Sequence, residues 1–153
     1  MRESILAFQG EHRFLSNFWP CPCPFGGIVY PSAEHAYQAQ KTVNRDTQIV
    51  ISHAETAGKA KRLGKTVKMR TDWHEVRLAV MERVVGDKFD WNPDLAELLV
   101  ATGDRMLYEG NAWGDRFWGV IENPDATFGE VVGENWLGRI LTITRSRLVL
   151  DQG

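Results

Sequence analysis

Tyr30-Pro31-Ser32-Ala33-Glu34-His35-Ala36-Tyr37-Gln38-Ala39-Gln40-Lys41 is the stretch on which the reading of this chain turns. Pro31-Ser32 marks a helix start, with Ser32 as N-cap, because a serine hydroxyl accepts from the free amides of the first turn. The helix is predicted to run through Lys41. Within it Glu34, Gln38 and Lys41 are spaced i, i+4, i+7 and project from nearly one side as a polar stripe. Two turns separate Glu34 from Lys41 by about 10 Å along the axis, so both can grip one ligand without quenching each other as a close pair. An acid in the first turn and a base in the last also complement the helix dipole, so the stripe reads equally as a solvated surface.

Outward from this helix the chain alternates short strand signals with helical ones. On its N-terminal side, residues 5–8 read as a short strand and residues 10–20 as a loop. A Pro/Gly-rich connection then leads to a second strand over residues 27–30. On its C-terminal side a weaker helical segment covers about residues 48–62. The strongest helix spans residues 71–85, where Trp73, Val76, Val80 and Val84 recur at helical spacing, with an end near Gly86 or Phe89. Asn92-Pro93, a capping residue followed by proline, opens another helix that buries Leu95, Leu98 and Leu99 before Thr102-Gly103 stops it. Residues 106–109 read as a strand and residues 113–119 as a loop. A glycine-spaced turn over residues 129–138 leads to a last helix with Leu137, Ile140, Leu141 and Leu148 inward. With no repeat or linker, the expectation is one α+β domain over residues 1–153, mainly helical around a small β-sheet.

Bulk properties narrow the class. At 153 residues, 43% hydrophobic and 25% charged, the chain suits a globular core and holds no apolar run near the roughly 18 residues of a spanning helix. No membrane partner is expected. The four apolar residues near the start are too few for a signal-peptide core, so a cytoplasmic location is expected. Cys21 and Cys23 stand in Pro20-Cys21-Pro22-Cys23-Pro24, where tight spacing and flanking prolines make an intrachain disulfide geometrically poor. Free thiols fit a reducing compartment, and a lone C-x-C without further ligands points to no metal. The net charge of −2 argues against coating nucleic acid by electrostatics alone. Lys59, Lys61, Arg62, Lys65, Lys68 and Arg70 nevertheless fall in one acid-free stretch, either a solvated helical face or a phosphate-facing patch.

Two further residues carry candidate chemistry. Trp73, beside Asp72 at a helix start, is either a core anchor or an aromatic platform, and Arg77 one turn on has the spacing to stack on its indole. Asp115 sits in the loop before Arg116-Phe117-Trp118-Gly119, where it is either a ligand-facing carboxylate or a turn-former. Six tryptophans supply the flat faces that hold a heterocycle. Gly129, Gly133 and Gly138 around Glu134-Asn135 can offer amides to a phosphate at the start of the last helix, without any Walker or dinucleotide pattern. No nucleophile elbow or triad is present.

In order and spacing, several blocks resemble the NADAR, or YbiA-like, family over nearly the whole chain. They include Phe14-Leu15-Ser16-Asn17-Phe18, residues 30–41, Gly58-Lys59-Ala60-Lys61-Arg62-Leu63-Gly64, and Asp72-Trp73 with Arg77 and Met81. Further on come Lys88-Phe89, residues 98–103, Trp118-Gly119 and residues 133–139. The resemblance implies an N-glycosidase of YbiA-like α+β fold that needs no cofactor. It implies catalytic roles for Glu34, Lys41, Trp73 and Asp115, and substrate contacts from Arg13, Phe14, Ser16, Asn17, Gln38, Trp118, Gly119 and Asn135. Glu34 is then the acid/base, Asp115 a ribose or water ligand, Trp73 a stacking face, and Lys41 a phosphate cation or Schiff-base nucleophile. The expected substrate is ADP-ribosylated guanine in DNA, with a phosphorylated riboflavin-pathway intermediate as alternative. An associated ADP-ribosyltransferase toxin is an expected partner in the first case. A non-catalytic ADP-ribose binding module and a plain nucleic-acid binder are the other classes.

Overall fold

The computed structural model describes residues 3–126 and 129–152. Met1 and Arg2 of the N-terminal stretch, together with Thr127, Phe128 and Gly153, lie outside the described residues. The chain is helix-rich with small antiparallel sheets, an α+β fold as the sequence predicts, and divides into two compact units, residues 17–95 and residues 1–16 with 96–153.

The unit of residues 17–95 begins with an antiparallel hairpin, β1 (Pro20–Phe25) and β2 (Ile28–Ser32). The Pro-rich segment expected as a connection is therefore a strand. Three prolines survive there because a two-stranded sheet has only edges, where a missing amide leaves no ladder bond broken. A register shift lies between Pro20 and Cys23, and Gly26 and Gly27, both at positive φ, make the turn. Helix α1 (Ala33–Ala39) follows at once. Ser32 Oγ accepts from His35 N at 3.1 Å, the cap expected from sequence. All seven α1 residues are buried, so the reading of its polar stripe as a solvated surface fails.

The single helical segment expected over residues 48–62 is two helices, α2 (Arg45–Ser52) and α3 (Ala57–Gly64). Each has its own cap: Asn44 Oδ1 accepts from Thr47 N and Thr56 Oγ1 from Lys59 N. Helix α4 (Trp73–Trp91) passes through Gly86 and Phe89, where an end was expected. Pro93 stops it instead, because the residue before a proline is driven out of helical conformation; Asn92 then donates its amide to Lys88 O and Pro22 O. Tyr30, Ile51, Val84, Val85, Phe89 and Cys23 are among the fully buried side chains of this unit.

Helix α5 (Pro93–Ala101) crosses the division. Leu95 and Leu99 are buried as expected, but Leu98 is 49% exposed. Leu98 lies three residues from Leu95 and one from Leu99, so it falls beside their stripe, facing water.

In the other unit residues 10–15, expected as part of a loop, form a 3₁₀ helix. The strands expected over residues 5–8 and 106–109 reduce to one parallel bridge, Ile5 to Leu107. Strands β3 (Ile121–Glu122) and β4 (Val131–Val132) form a short antiparallel pair. Helix α6 (Trp136–Asp151) buries Leu137, Ile140 and Leu141, while Leu148 is half-buried. Thr144 and Arg145 are buried beside them; Arg145 Nη1 donates to Thr102 Oγ1 and to Arg105 O. Among the described residues no helix is long and apolar enough to cross a membrane.

Candidate active site

Within residues 17–95 the expected polar residues of α1 meet. Gln38 Nε2 donates to Glu34 Oε1 at 2.8 Å, an i, i+4 bond on one helix face. Both residues are buried, and Glu34 N donates to Asn17 O at 2.9 Å, which fixes the first turn of α1 against the segment before β1. Asn17 Nδ2 reaches Met81 Sδ on α4. The acceptors Gln38 Oε1 and Asn17 Oδ1 are buried with no hydrogen-bond partner. An unpaired buried acceptor costs about 1–3 kcal/mol; the Gln38 oxygen faces Gly64, while the Asn17 oxygen suits a ligand that donates a hydrogen, as a sugar hydroxyl does.

Gly64, the last residue of α3, leaves the room that Gln38 uses. A Cβ there would collide with the Gln38 amide, so the small residue lets α3 close on α1. Glycine at the end of Gly58–Gly64 thus serves the site through contact with Gln38, a pairing that local periodicity does not reveal.

Helix α1 ends at Ala39, two residues before the Lys41 that the sequence places inside it. Lys41 continues a hydrogen-bonded turn, with its amide donating to Gln38 O and its carbonyl accepting from Arg70 N at 2.7 Å. The stripe Glu34, Gln38, Lys41 is therefore not continuous helix. Lys41 Nζ lies 6.0 Å from the Tyr37 ring centre, and the Tyr37 and Trp73 rings are 5.2 Å apart at a tilt of 56°. Burial lowers the Lys41 ammonium below its usual range, and the cations of Lys61 and Lys65 add to this, while the Glu34 carboxylate acts the other way. A less basic amine is a better nucleophile at neutral pH.

Trp73 is only 3% exposed, which makes it a buried partner of Tyr37 and not an exposed platform. Tyr37 is the residue the sequence reading missed. It stands three residues after Glu34 and four before Lys41, a helical spacing that was available. Before α4, Arg70 grips both carboxylate oxygens of Asp72 at 2.6 and 2.9 Å, so Arg70 is committed to an ion pair. Lys59 likewise pairs with Glu55. His35 is buried and held neutral by burial, with Ser32 on Nδ1 and Ala54 O on Nε2.

The remaining expected residues belong to the other unit. Arg13 and Phe14 lie in the 3₁₀ helix and Ser16 caps it. Asp115 Oδ1 accepts from Phe117 N and Trp118 N, both at 3.0 Å, which is a turn-forming role. Gly119 leaves no space for a Cβ against Glu109 O. Asn135, the residue before α6, takes a left-handed conformation at φ 55°. Its Oδ1 accepts from Glu109 N and its Nδ2 donates to Leu107 O. That side chain closes the backbone of its own unit. Among the described residues no three of His, Cys, Asp and Glu gather as a metal site.

Comparison with known proteins places this arrangement in a family. The model of the NADAR domain matches residues 7–149. A riboflavin biosynthesis protein of Vibrio vulnificus is 41% identical over 152 residues, 97% of this chain, which spans only 39% of that protein's length. An N-glycosidase of Nostoc punctiforme is 36% identical, with 88% of this chain and 84% of that one covered. The NMR structure of the Escherichia coli protein YbiA superposes with a TM-score of 0.80 at 29% identity, covering 99% of this chain and 89% of that one. The protein described here belongs to the NADAR domain family.

Proposed function

We propose that this chain is an N-glycosidase that hydrolyses the C1–N bond of a ribosyl group, with Glu34 as its acid/base. The observation that carries the reading is the buried Glu34 carboxylate, oriented by Gln38, in a chain whose relatives are named N-glycosidases. A glycosidic C–N bond breaks through an oxocarbenium-like sugar. Glu34 delivers a proton to the leaving nitrogen or takes one from the attacking water; the water oxygen ends on C1 and the nitrogen leaves as an amine. The unpaired Asn17 Oδ1 accepts from a ribose hydroxyl. Lys41, made less basic by its surroundings, either meets a phosphate or attacks C1 of the opened sugar as an amine.

The substrate in this reading is a phosphorylated ribosyl amine of the riboflavin type, because the 41% identical Vibrio relative is named a riboflavin biosynthesis protein. ADP-ribosylated guanine in DNA is the second reading. Lys61, Arg62, Lys65 and Lys68 of the acid-free run, in which Glu55 holds Lys59 and Asp72 holds Arg70, favour it.

Both are tested together. The protein and its Glu34→Gln variant are incubated with a phosphorylated ribosyl-aminopyrimidine and with an oligonucleotide bearing ADP-ribose on guanine, and release is followed by mass spectrometry. Release from one substrate, lost in the variant, assigns it. Release from neither by a folded wild type overturns the proposal.

A further inference from the structure

Cys21 and Cys23 take no part in the reaction proposed above, yet the fold brings them together. Along a regular strand, residues i and i+2 are about 6.6 Å apart, because each residue advances roughly 3.3 Å. Here the two sulfurs are 3.7 Å apart. The register shift of β1 between Pro20 and Cys23 accompanies that approach. Prolines on both sides and between the two cysteines fix φ at three of the five positions Pro20 to Pro24, and the 3.7 Å sulfur contact revises the expectation from spacing that this pair is poorly placed for a disulfide.

The two thiols are not alike. Cys23 is 1% exposed and paired across the hairpin with Tyr30. Cys21 is half-buried and lines a cleft of about 420 Å³ with Pro22, Val29, Tyr30, Pro31 and Ser52. The buried ammonium of Lys88 on α4 acts on both sulfurs; Asp94 opposes it at Cys21 and Asp87 at Cys23. Cys23 as hydrogen-bond donor, then Lys88, draw the Cys21 thiol down to about 7 against the pull of burial, while Cys23 is pushed far up. Cys21 is thus the more acidic sulfur, and its neighbour is a protonated thiol 3.7 Å away.

We infer that Cys21 and Cys23 form a peroxide-reactive dithiol, with Cys21 the attacking thiolate at the cleft and Cys23 the resolving thiol. The Cys21 thiolate attacks one oxygen of a hydroperoxide; the O–O bond breaks, water or alcohol leaves after taking up a proton, and Cys21 becomes a sulfenic acid. Cys23 then attacks that sulfur. The sulfenic hydroxyl leaves with the Cys23 proton as water and a Cys21–Cys23 disulfide remains, so the peroxide is reduced by two electrons and the thiol pair oxidised by two. The inference is independent of the substrate assigned above.

The test treats the fully reduced protein with one equivalent of hydrogen peroxide and reads peptide masses, with dimedone present in parallel. The expected result is loss of both thiols within one chain, reversed by dithiothreitol. Cys23→Ser leaves Cys21 as a dimedone-captured sulfenic acid, and Cys21→Ser consumes peroxide at least about tenfold more slowly. Iodoacetamide labelling of wild-type Cys21 has its pH midpoint near 7 instead of the usual roughly 8.5. Equal peroxide consumption by Cys21→Ser, a disulfide only between chains, or a midpoint at the usual value overturns the inference.

Discussion

Gln38 donates to the Glu34 carboxylate one helical turn away, while its own carbonyl oxygen stays buried without a donor. The bond holds one Glu34 carboxylate oxygen in place. Replacing Glu34 by Gln keeps shape and removes the ionisable group. The expected outcome is a fall of about 10²- to 10⁴-fold in kcat with melting temperature little changed, measured by steady-state kinetics beside thermal unfolding. A variant that retains activity within threefold, roughly 0.7 kcal/mol, rules Glu34 out as acid/base.

The contact between Gly64 and Gln38 predicts coupling. Gly64→Ala places a methyl group against the Gln38 amide and is expected to cost about 1–3 kcal/mol of stability, together with catalytic rate. Adding Gln38→Ala removes the obstacle, so the double variant is less destabilised than the sum of the singles. Urea unfolding of all four proteins checks this, and strict additivity contradicts the contact.

Lys41 gives a pH signature. Its amine is less basic in the folded chain than its ordinary 10.5, so between the two values the unfolded chain binds more protons and stability rises with pH. Below that window the folded protein carries the full penalty of a partly desolvated ammonium. Lys41→Met is therefore expected to be more stable than wild type at neutral pH, with the gap closing as pH climbs towards 10.5. Denaturant midpoints across that range decide it; a gap that widens reverses the sign.

If Lys41 acts as an amine nucleophile, borohydride added during turnover reduces the imine to a stable adduct on that residue. Peptide mapping is expected to find the added sugar on Lys41 and none in Lys41→Met. Full turnover without any adduct limits Lys41 to charge recognition.

Asn135 separates conformation from hydrogen bonding. Asn135→Ala loses two bonds to backbone and forces a Cβ residue into left-handed φ, whereas Asn135→Gly loses the bonds alone. Alanine is expected to be the less stable of the two by about 1 kcal/mol, read from thermal melts. Equal stability denies the left-handed strain.

The sequence by itself determined the α+β class, the Ser32 cap, the long α4 helix and the family, because caps, periodicity and ordered blocks are local signals written in neighbouring residues. It also put Glu34 and Gln38 in one patch, since helical spacing alone brings i and i+4 together. Only the tertiary structure decided that this patch is buried and not solvated, because burial depends on what packs against a helix from distant chain. The same holds for Gly64 against Gln38, Tyr37 against Trp73, and the contact of Cys21 with Cys23. Lys41 falls beyond the helix end for a similar reason: its carbonyl is taken by Arg70, a partner 29 positions away that no local pattern specifies.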